Sequence, residues 1–338
     1  MINYVYQLVR PGIFSVKYED ISPENEIIIK PTYMAICHAD QRYYLGKRDL
    51  NKLSKKLPMA LIHECVGEVA HDPTGTYSSG EKVVLIPNIL PKIPCNSIYE
   101  NYAKGSGFRS SGYDGFMREF VNIPVDRVLT YVGVRDSYAA ITEFVSVAAH
   151  ALRRFDISAH YIREYVGIWG DGSLAYVLAS MIRHLYPKIK LAVVGKDSYK
   201  LSQFMFADKT FLAGELPKNF NIDHAFECAG GEGSYYAIDD IITHINPQGS
   251  VMLLGVSENK IAINTRDILE KGLTLIGCSR SGREDFKLAV KCMEDKDFQK
   301  RISRIVYEDA PVRNINDIHR VFQNDLNTPF KTVFAWKL

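Results

Sequence analysis

The stretch from Tyr165 to Ser279 repeats one pattern, in which a short apolar strand is followed by an amphipathic helix. The predicted strands are residues 166–169, 190–194, 223–228, 251–255 and 273–277. Strands that are apolar along their whole length are buried on both faces, and the helices between them let consecutive strands run parallel. This stretch is therefore predicted to fold as a doubly wound parallel sheet, which places the protein in the α/β class.

The rest of the chain is predicted to form a second, largely β domain. Short strands broken by turns are expected at residues 26–30, 66–70, 82–86 and 117–121. After Arg280, helices are predicted at residues 283–294 and 316–324, and strands at 304–307 and 331–336. The closing strand has no clear place in the parallel sheet, so we expect it to return to the first domain. A chain of 338 residues exceeds what one core usually supports, and we predict one domain at 1–146, completed by 282–338, and another at 147–281.

A glycine-containing turn lies where the first strand of the predicted parallel sheet ends and a helix of residues 174–185 begins. Gly170 and Gly172 would let the backbone approach a pyrophosphate, Ala175 would let the helix pack closely, and the helix amino terminus offers amide donors. A tight structural turn is the alternative, but the succession of strand–helix units favours a Rossmann-type dinucleotide site. Its predicted residues are Gly170, Asp171, Gly172, Ser173, Leu174 and Ala175.

The next strand predicts which dinucleotide is bound. An NAD site usually has an acidic residue at this strand end to bind the ribose 2′-hydroxyl, whereas Gly195 stands here and leaves room beside Lys196 and Lys200. This favours a 2′-phosphate, and hence NADP. The alternative is that both lysines are solvated and that Asp197 binds the ribose. The predicted cofactor-binding set is completed, at or just after later strand ends, by Cys228, Gly255 and Ser279.

Metal-binding side chains precede the dinucleotide segment. Zinc takes sulfur, nitrogen and oxygen ligands, and a catalytic zinc keeps one position open. Cys37, His63 and Glu143 supply that set, with Glu64 as a fourth or exchangeable ligand. Each has an ordinary alternative, as a core thiol, a loop histidine or a surface carboxylate. Their joint occurrence ahead of a dinucleotide fold favours a zinc-dependent dehydrogenase.

Composition narrows the partners and the compartment. The formal net charge is +2 and both signs are mixed along the chain, so we expect no nucleic-acid partner. Six cysteines lack CxxC spacing, and the amino terminus lacks the pattern of a secretory signal. No apolar run approaches the roughly 20 residues needed to cross a bilayer. These features predict a cytoplasmic enzyme that does not bind membranes.

Several motifs resemble a known family over nearly the whole chain. Residues 36–40, 57–69 and 114–116, the helix near Glu143 and the glycine turn occur in the order seen in zinc-containing medium-chain alcohol and polyol dehydrogenases. More specific runs resemble the ribulose-5-phosphate reductases that make ribitol 5-phosphate for bacterial CDP-ribitol. These runs are CHADQRYY (37–44), FRSSG (108–112), HALRRF (150–155), GIWGDG (167–172) and LIGCSRSG (275–282).

The resemblance implies a GroES-like catalytic domain, a catalytic zinc on Cys37, His63 and Glu143 with Glu64 beside it, and Asp40 orienting His63. It implies NADPH as hydride donor and D-ribulose 5-phosphate as substrate, for teichoic-acid or capsule synthesis. A cytidylyltransferase would be the next enzyme and a candidate partner for a complex, and relatives are commonly homodimers or tetramers.

Three departures from the family pattern concern the metal domain. Only Cys95 occurs between residues 88 and 111, where many relatives have four cysteines, so we expect no second zinc. Ala39 replaces the proton-relay serine or threonine, which leaves a zinc-shell water or a substrate hydroxyl as proton donor. Ile62 and Cys65 replace glycines beside His63 and Glu64, and are expected to narrow the pocket.

A phosphorylated substrate needs cations in the first domain, and Arg42 and Arg109 are the predicted phosphate ligands because arginine can make paired contacts with phosphate oxygens. The alternative is that both are surface charges. Two other functions stay open from the residues: a polyol dehydrogenase acting on an unphosphorylated sugar alcohol such as sorbitol or xylitol, and a dinucleotide-sensing or structural protein without catalysis.

Overall fold

The computed structural model describes residues 1–93 and 97–338. The chain divides into two compact units, which we call unit 1 (Met1–Ser146 with Ser281–Leu338) and unit 2 (Val147–Arg280). Cys95, the cysteine noted in the 88–111 segment, lies outside the described residues. Among the residues that are described, no helix is both long enough and apolar enough to cross a membrane.

The amino-terminal part of unit 1 consists of short strands, as its alternating polar and apolar residues predict. The strands are β1 (Ile2–Arg10), β2 (Ile13–Asp20), β3 (Ile27–Ala35), β4 (Met59–Ala60), β5 (Glu64–His71), β6 (Lys82–Leu85), β7 (Asn88–Ile89), β8 (Gly107–Phe108), β9 (Val121–Ile123) and β10 (Val128–Thr130). The helices are α1 (His38–Tyr44), α2 (Leu50–Lys56), α3 (Asp136–Ala139) and α4 (Thr142–Ser158), the last of which runs on into unit 2.

Unit 2 contains the predicted parallel sheet. Its strands are β11 (Tyr165–Trp169), β12 (Lys190–Gly195), β13 (Lys209–Leu212), β14 (His224–Glu227), β15 (Ser250–Leu253) and β16 (Thr274–Gly277), and its further helices are α5 (Ser173–Leu185), α6 (Ser198–Ser202), α7 (Gly233–His244) and α8 (Thr265–Lys271). The strand order is β13-β12-β11-β14-β15-β16, with every neighbouring pair parallel. The sequence prediction missed β13, an exposed edge strand that begins with Lys209 and therefore lacks a continuous apolar run.

The chain then returns to unit 1. Its last elements are α9 (Arg283–Glu294), α10 (Lys296–Ile302), β17 (Val306–Val312), α11 (Ile315–Asp325) and β18 (Lys331–Trp336). The closing strand β18 is buried along its length and lies between β17 and β3 in the sheet β10-β6-β5-β3-β18-β17. It pairs antiparallel with β3, which is the return to the first domain that the sequence predicts.

The strand predicted at residues 117–121 is wrong. Strand β9 begins only at Val121, and Arg118 makes no more than an isolated bridge to Val5. The preceding segment is bound to β4 and its continuation instead: the amide of Gly115 donates to Ala60 O and that of Phe116 to Ile62 O. A Cβ at Gly115 would lie 2.4 Å from the Ile62 carbonyl oxygen. Local apolar character did not reveal this contact between distant backbone segments.

Candidate metal and nucleotide sites

Cys37 lies at the junction of β3 and α1. The amide of Ile36 donates to Thr332 O on β18, which fixes the end of β3. Helix α1 then begins at His38, and the Cys37 amide donates to Oδ2 of Asp40 at 3.2 Å. The thiol is therefore held at a helix start that two strands and a buried carboxylate define.

His63 and Glu64 lie at the beginning of β5, after a strained residue. Ile62 has φ 70°, in the left-handed region that favours glycine, and such a conformation costs a β-branched residue about 1–3 kcal/mol. Its amide donates to Oδ1 of Asp40 and its carbonyl accepts from the Phe116 amide. These bonds hold the turn in the conformation that points the following side chains into unit 1.

Three of the four predicted metal ligands come together, and the fourth, Glu143, lies next to His63. The Cys37 thiol, a His63 ring nitrogen and a Glu64 carboxylate oxygen lie within 4.8 Å of one another. Glu143, in the first turn of α4, places Oε2 4.0 Å from Nε2 of His63. His63, Glu64 and Glu143 are buried, whereas Cys37 is partly exposed. One thiol, one imidazole and one carboxylate therefore lie together, and the Glu143 carboxylate lies beside the imidazole.

Asp40 lies behind His63. Its Oδ2 is 3.6 Å from His63 Nδ1, and its Oδ1 accepts from Ser110 Oγ at 2.6 Å. Burial raises the pKa of Asp40, but the His63 charge and the hydrogen bonds from Ser110 and Ile62 outweigh it, so the pKa is lowered. A carboxylate in this position fixes the orientation of a ligand imidazole.

Glu64 makes a buried ion pair that sequence reasoning missed. Lys331, at the start of β18, donates to Glu64 Oε1 at 2.5 Å and to Ile36 O at 2.7 Å, and its ammonium lies 4.6 Å from the Phe144 ring centroid. Burial raises the pKa of Glu64, and the Lys331 charge opposes that rise. The only signal in the sequence was a lysine opening an otherwise apolar strand.

The electrostatics of the other donors follow from burial among carboxylates. Burial, with the Glu64 charge adding to it, raises the pKa of Glu143 to about 7 despite the opposing effect of His63. Burial lowers the pKa of His63, but Asp40 and Cys37 more than offset it, so the pKa lies well above its usual value. Several titratable side chains are thus buried close together. A bound cation would favour the deprotonated form of each of them.

The donor set fits zinc. One of its atoms, Oε2 of Glu64, is buried without a hydrogen-bond partner within the described part of the chain. Thiol, imidazole and carboxylate are the ligand types that zinc takes in catalytic sites. With Oε1 of Glu64 held by Lys331, Oε2 is the Glu64 atom that remains for a metal.

The two arginines predicted to bind phosphate differ. Arg42 lies in the last turn of α1, and its Nε donates to Lys47 O at 3.3 Å. Arg109 instead lies between Phe108, whose ring centroid is 5.3 Å from that of His63, and Ser110, which donates to Asp40.

Arg109 donates to the backbone oxygens of Asp114 and Asn122. Burial and the Arg118 charge lower its pKa to about 10. Phe108 contacts the predicted metal ligand His63 and Ser110 contacts Asp40, whereas the Arg109 guanidinium itself is bound to backbone carbonyl groups. These contacts argue against the phosphate role predicted for Arg109.

In unit 2, the glycine turn has the geometry of a close backbone approach. Gly170 has φ 138°, and a Cβ there would lie 2.9 Å from the carbonyl carbon and oxygen of Cys228. Around Gly172 a Cβ would meet nothing within 4 Å, and helix α5 begins at Ser173 with Ala175 fully buried. Leu174 lies in the same first turn of α5. The turn therefore offers an open face at a helix amino terminus, where an anion is favoured.

The space beside Gly195 is not empty, which corrects one step of the sequence argument. The Asp171 side chain fills it, since a Cβ at Gly195 would lie 2.6 Å from Asp171 Cβ. Oδ2 of Asp171 accepts the amides of Lys196 and Asp197, at 2.6 and 2.8 Å. Asp197 in turn accepts the Lys200 amide as the cap of α6, so the ribose acid considered as the alternative is engaged in capping.

The remaining predicted cofactor residues lie at the carboxyl ends of the strands. The Cys228 amide donates to Trp169 O, Ser279 is an exposed residue just after β16, and Lys196 Nζ would be 3.7 Å from a Cβ at Gly233. Sequence reasoning missed Glu227, a buried carboxylate at the end of β14. It accepts the amides of Gly230 and Gly255, among other donors, and so ties the loops after β14 and β15 together.

Comparison with known proteins gives consistent matches. Residues 23–132 match the family model described as alcohol dehydrogenase GroES-like domain. The chain is 54% identical over 340 residues to a ribulose-5-phosphate reductase of Streptococcus pneumoniae, covering 100% of this chain and 98% of that protein. It is 47% identical over 342 residues to ribulose-5-phosphate reductase 2 of Staphylococcus aureus, with 100% of both covered. The crystal structure of S. aureus TarJ in complex with NADPH superimposes with a TM-score of 0.88 at 42% identity, over 100% of both chains.

Proposed function

Because the chain belongs to the medium-chain dehydrogenases and, within them, to the ribulose-5-phosphate reductases, we propose that it reduces D-ribulose 5-phosphate to D-ribitol 5-phosphate with NADPH. The observation that carries this proposal is the 54% identity over the whole chain to a protein of that name. The buried thiol, imidazole and carboxylate donors of unit 1 support the zinc-dependent form of the reaction.

We assign the zinc to Cys37, His63 and Glu143, with Glu64 as a fourth or exchangeable ligand through Oε2. A bound zinc ion would supply Lewis acidity to the C2 ketone of the substrate. Asp40 faces Nδ1 of His63 and leaves Nε2, the nitrogen nearer Glu143, to bind the metal. Lys331 keeps Oε1 of Glu64 in a fixed ion pair, so that this carboxylate cannot turn both oxygens toward the metal.

Unit 2 is proposed to bind the dinucleotide, and unit 1 to carry the chemistry. NADPH would supply the hydride that reduces the ketone. The pyrophosphate would bind at the amino terminus of α5, beside Gly170 and Gly172, where the backbone is open to a ligand. Lys196 and Lys200 remain the candidate ligands of the 2′-phosphate, whereas Asp171 organises the end of β12 by accepting two backbone amides.

The product would supply CDP-ribitol for teichoic acid or capsule, with a cytidylyltransferase as the next enzyme. A complex with that enzyme, a homodimeric or tetrameric state and a cytoplasmic location remain proposals. Size-exclusion chromatography with light scattering tests the oligomeric state, co-purification tests the complex, and cell fractionation tests the location.

The proposed function is tested by following cofactor oxidation with zinc-loaded protein. D-ribulose 5-phosphate and unphosphorylated D-ribulose are each offered with NADPH and with NADH. We expect fast oxidation with NADPH and the phosphate ester, and a large loss when either the phosphate or the NADPH is replaced. Comparable rates with free ribulose, or a preference for NADH, would reassign the protein to the polyol dehydrogenases.

The metal assignment needs a readout other than activity. Zinc content measured by mass spectrometry should fall from near one ion per chain to background in Cys37→Ser, while NADPH binding persists. Cys292→Ser is the matched control, because Cys292 is a buried thiol in α9 outside the donor set. Full zinc content in Cys37→Ser would refute the ligand assignment.

A further inference from the structure

Tyr43 lies one helical turn beyond Ala39 on the same face of α1. Its side chain is 1% exposed, and its hydroxyl has no hydrogen-bond partner within the described chain. Buried hydroxyl groups are almost always hydrogen-bonded in proteins, so an unpartnered one needs an explanation. A ligand that reaches the Tyr43 hydroxyl would provide one.

Two cations lie against the Tyr43 ring. The guanidinium carbon of Arg48 is 4.1 Å from the ring centroid, and the Lys56 ammonium is 5.9 Å from it. Nε of Arg48 is also buried without a partner in the described part of the chain. Neither cation has a carboxylate within 4 Å among the described residues, and Asp49, the nearest acid in sequence, caps α2 instead.

Other positive charge lies close by. Burial lowers the pKa of Arg42, and the Arg48 charge adds to that effect. Arg48 and Lys56 have no carboxylate within 4 Å among the described residues, and like charges held close together in this way raise the free energy of the folded protein unless an anion joins them. The cluster formed by Tyr43, Arg48 and Lys56 therefore has the charge and the unpaired donors of an anion site.

The cluster is connected to the metal-binding residues through two backbone segments. Nη2 of Arg48 donates to Ala39 O at 3.4 Å, two residues after Cys37. Lys56 Nζ donates to Ser111 Oγ at 2.9 Å, and the preceding Ser110 donates to Asp40, the carboxylate facing His63. Ser110 has φ 60°, so the backbone between these contacts is held in the left-handed region. The anion site and the metal site thus share α1 and this loop.

We propose that Arg48 and Lys56 form the subsite for the phosphate of a ketose phosphate substrate, with the Tyr43 hydroxyl as a further donor. This inference rests on the proposed function, because it assigns the end of the substrate opposite the reacting ketone. An arginine fork can make paired contacts with phosphate oxygens, and a lysine adds a point charge. The assignment replaces Arg109, whose guanidinium is bound to backbone carbonyls.

The test compares Arg48→Gln and Lys56→Met with wild type on D-ribulose 5-phosphate and on D-ribulose. Each variant should raise KM for the phosphate ester about ten- to hundredfold, the size of one lost charge-assisted hydrogen bond. The kcat should stay within about threefold, and kcat/KM for free ribulose should be unchanged. Lys56→Arg should recover most of the lost affinity. Lys55→Met is the matched control, since Lys55 is an exposed lysine next to Lys56 in α2.

Inorganic phosphate provides a second readout that does not depend on turnover. It should compete with D-ribulose 5-phosphate in wild type and in Lys55→Met, and much more weakly in Arg48→Gln and Lys56→Met. Equal losses on both substrates, with a lowered thermal midpoint, would mean that the cations only pack on Tyr43, and would overturn the subsite. Unchanged KM values in both variants would overturn it as well.

Failure of the proposed function would look different. Wild-type protein would then not oxidise NADPH with D-ribulose 5-phosphate at all. In that case calorimetric binding of inorganic phosphate decides the subsite: binding that is lost in Arg48→Gln supports it, and no binding to wild type overturns it.

Discussion

Oδ2 of Asp40 lies 3.6 Å from Nδ1 of His63, while Oδ1 of the same buried carboxylate accepts hydrogen bonds from Ser110 and the Ile62 amide. Asp40 itself belongs to the helix after Cys37, and its carboxylate binds the turn before His63 and the loop of Ser110 and Ser111. Asp40 thus contacts both His63 and Ser110, and Ser111, the next residue, accepts a hydrogen bond from Lys56 of the proposed phosphate subsite.

Asp40→Asn should weaken zinc binding. The amide cannot offer the same charge to the imidazole, and loss of such a partner typically costs about 10–100-fold in metal affinity. Competition with a chromophoric chelator measures the affinity directly. Asp239→Asn, at an exposed aspartate on α7, is the control. An unchanged zinc affinity in Asp40→Asn would show that His63 is oriented by other contacts.

Lys331→Met should destabilise the metal-free protein by about 3–5 kcal/mol, because it leaves Glu64 as a buried charge without its partner. The double variant Glu64→Gln with Lys331→Met should recover much of that loss. Urea unfolding of the metal-free protein gives both values. Lys82→Met is the control: its ion pair with Asp136 is half-exposed and should contribute about 0–1 kcal/mol. If Lys331→Met and Lys82→Met lowered the free energy of unfolding by similar amounts, burial would not be what makes the Glu64–Lys331 pair important.

Gly195→Ala should displace the Asp171 side chain, because the new Cβ would lie 2.6 Å from Asp171 Cβ. Overpacking of this kind lowers the free energy of unfolding by about 1–3 kcal/mol. The amides of Lys196 and Asp197, just after β12, would also lose the Asp171 carboxylate that accepts their hydrogen bonds. We therefore expect weaker NADPH binding by fluorescence titration together with lower stability. Gly277→Ala, where a Cβ would meet nothing within 4 Å, should change neither. Tight NADPH binding in Gly195→Ala would mean that Asp171 is dispensable there.

Arg109→Met should lower stability without changing substrate preference. The guanidinium donates to Asn122 O at 3.2 Å in a part-buried contact, and a typical intramolecular hydrogen bond contributes about 0.5–1.5 kcal/mol. The ratio of kcat/KM for D-ribulose 5-phosphate over D-ribulose should stay at the wild-type value. A collapse of that ratio in Arg109→Met, at normal stability, would restore Arg109 as a phosphate ligand.

Unit 2 should lose stability as the pH falls from about 6.5 to about 4 because of His224. Burial, with the charges of His160 and Arg163, lowers the pKa of His224 to about 4, against the opposing effect of Asp223. The unfolded residue titrates near the ordinary value of about 6.5. Between these values the unfolded chain binds more protons, so acid favours unfolding, and the stabilising effect is complete only above about pH 6.5.

The geometry agrees with a neutral His224. Its Nδ1 accepts the Ser250 amide and its Nε2 lies 3.1 Å from Ile162 O, so a second proton would abolish the acceptor. The thermal midpoint measured across this pH range should decline less steeply in His224→Gln than in wild type. His71→Gln, at an exposed histidine ending β5, serves as the control. Parallel curves for wild type and His224→Gln would rule out this histidine as the source.

Local pattern predicted much of the architecture. The apolar runs of β11, β12, β14, β15 and β16 predicted a parallel sheet because strands buried on both faces need uniformly apolar residues. The same criterion did not predict the edge strand β13, because a strand at an exposed edge does not need to be apolar along its whole length. The segment at 117–121 misled because it has apolar residues at both ends, as a short strand often does, yet the backbone just before it, at Phe116, is bound to Ile62 rather than to a neighbouring strand.

The sequence by itself determined the residue types that can bind zinc, the glycine turn and the alternation of strands and helices, because these depend on chemistry and on spacing along the chain. Only the tertiary structure decided which side chains meet. Lys331 reaches Glu64 across 267 positions, Asp171 fills the space beside Gly195, and Arg48 and Lys56 converge on Tyr43 while Arg109 binds carbonyls elsewhere. The direction and the partner of a charged side chain depend on the segments packed around it. The spacing of apolar residues along one segment carries no information about those other segments.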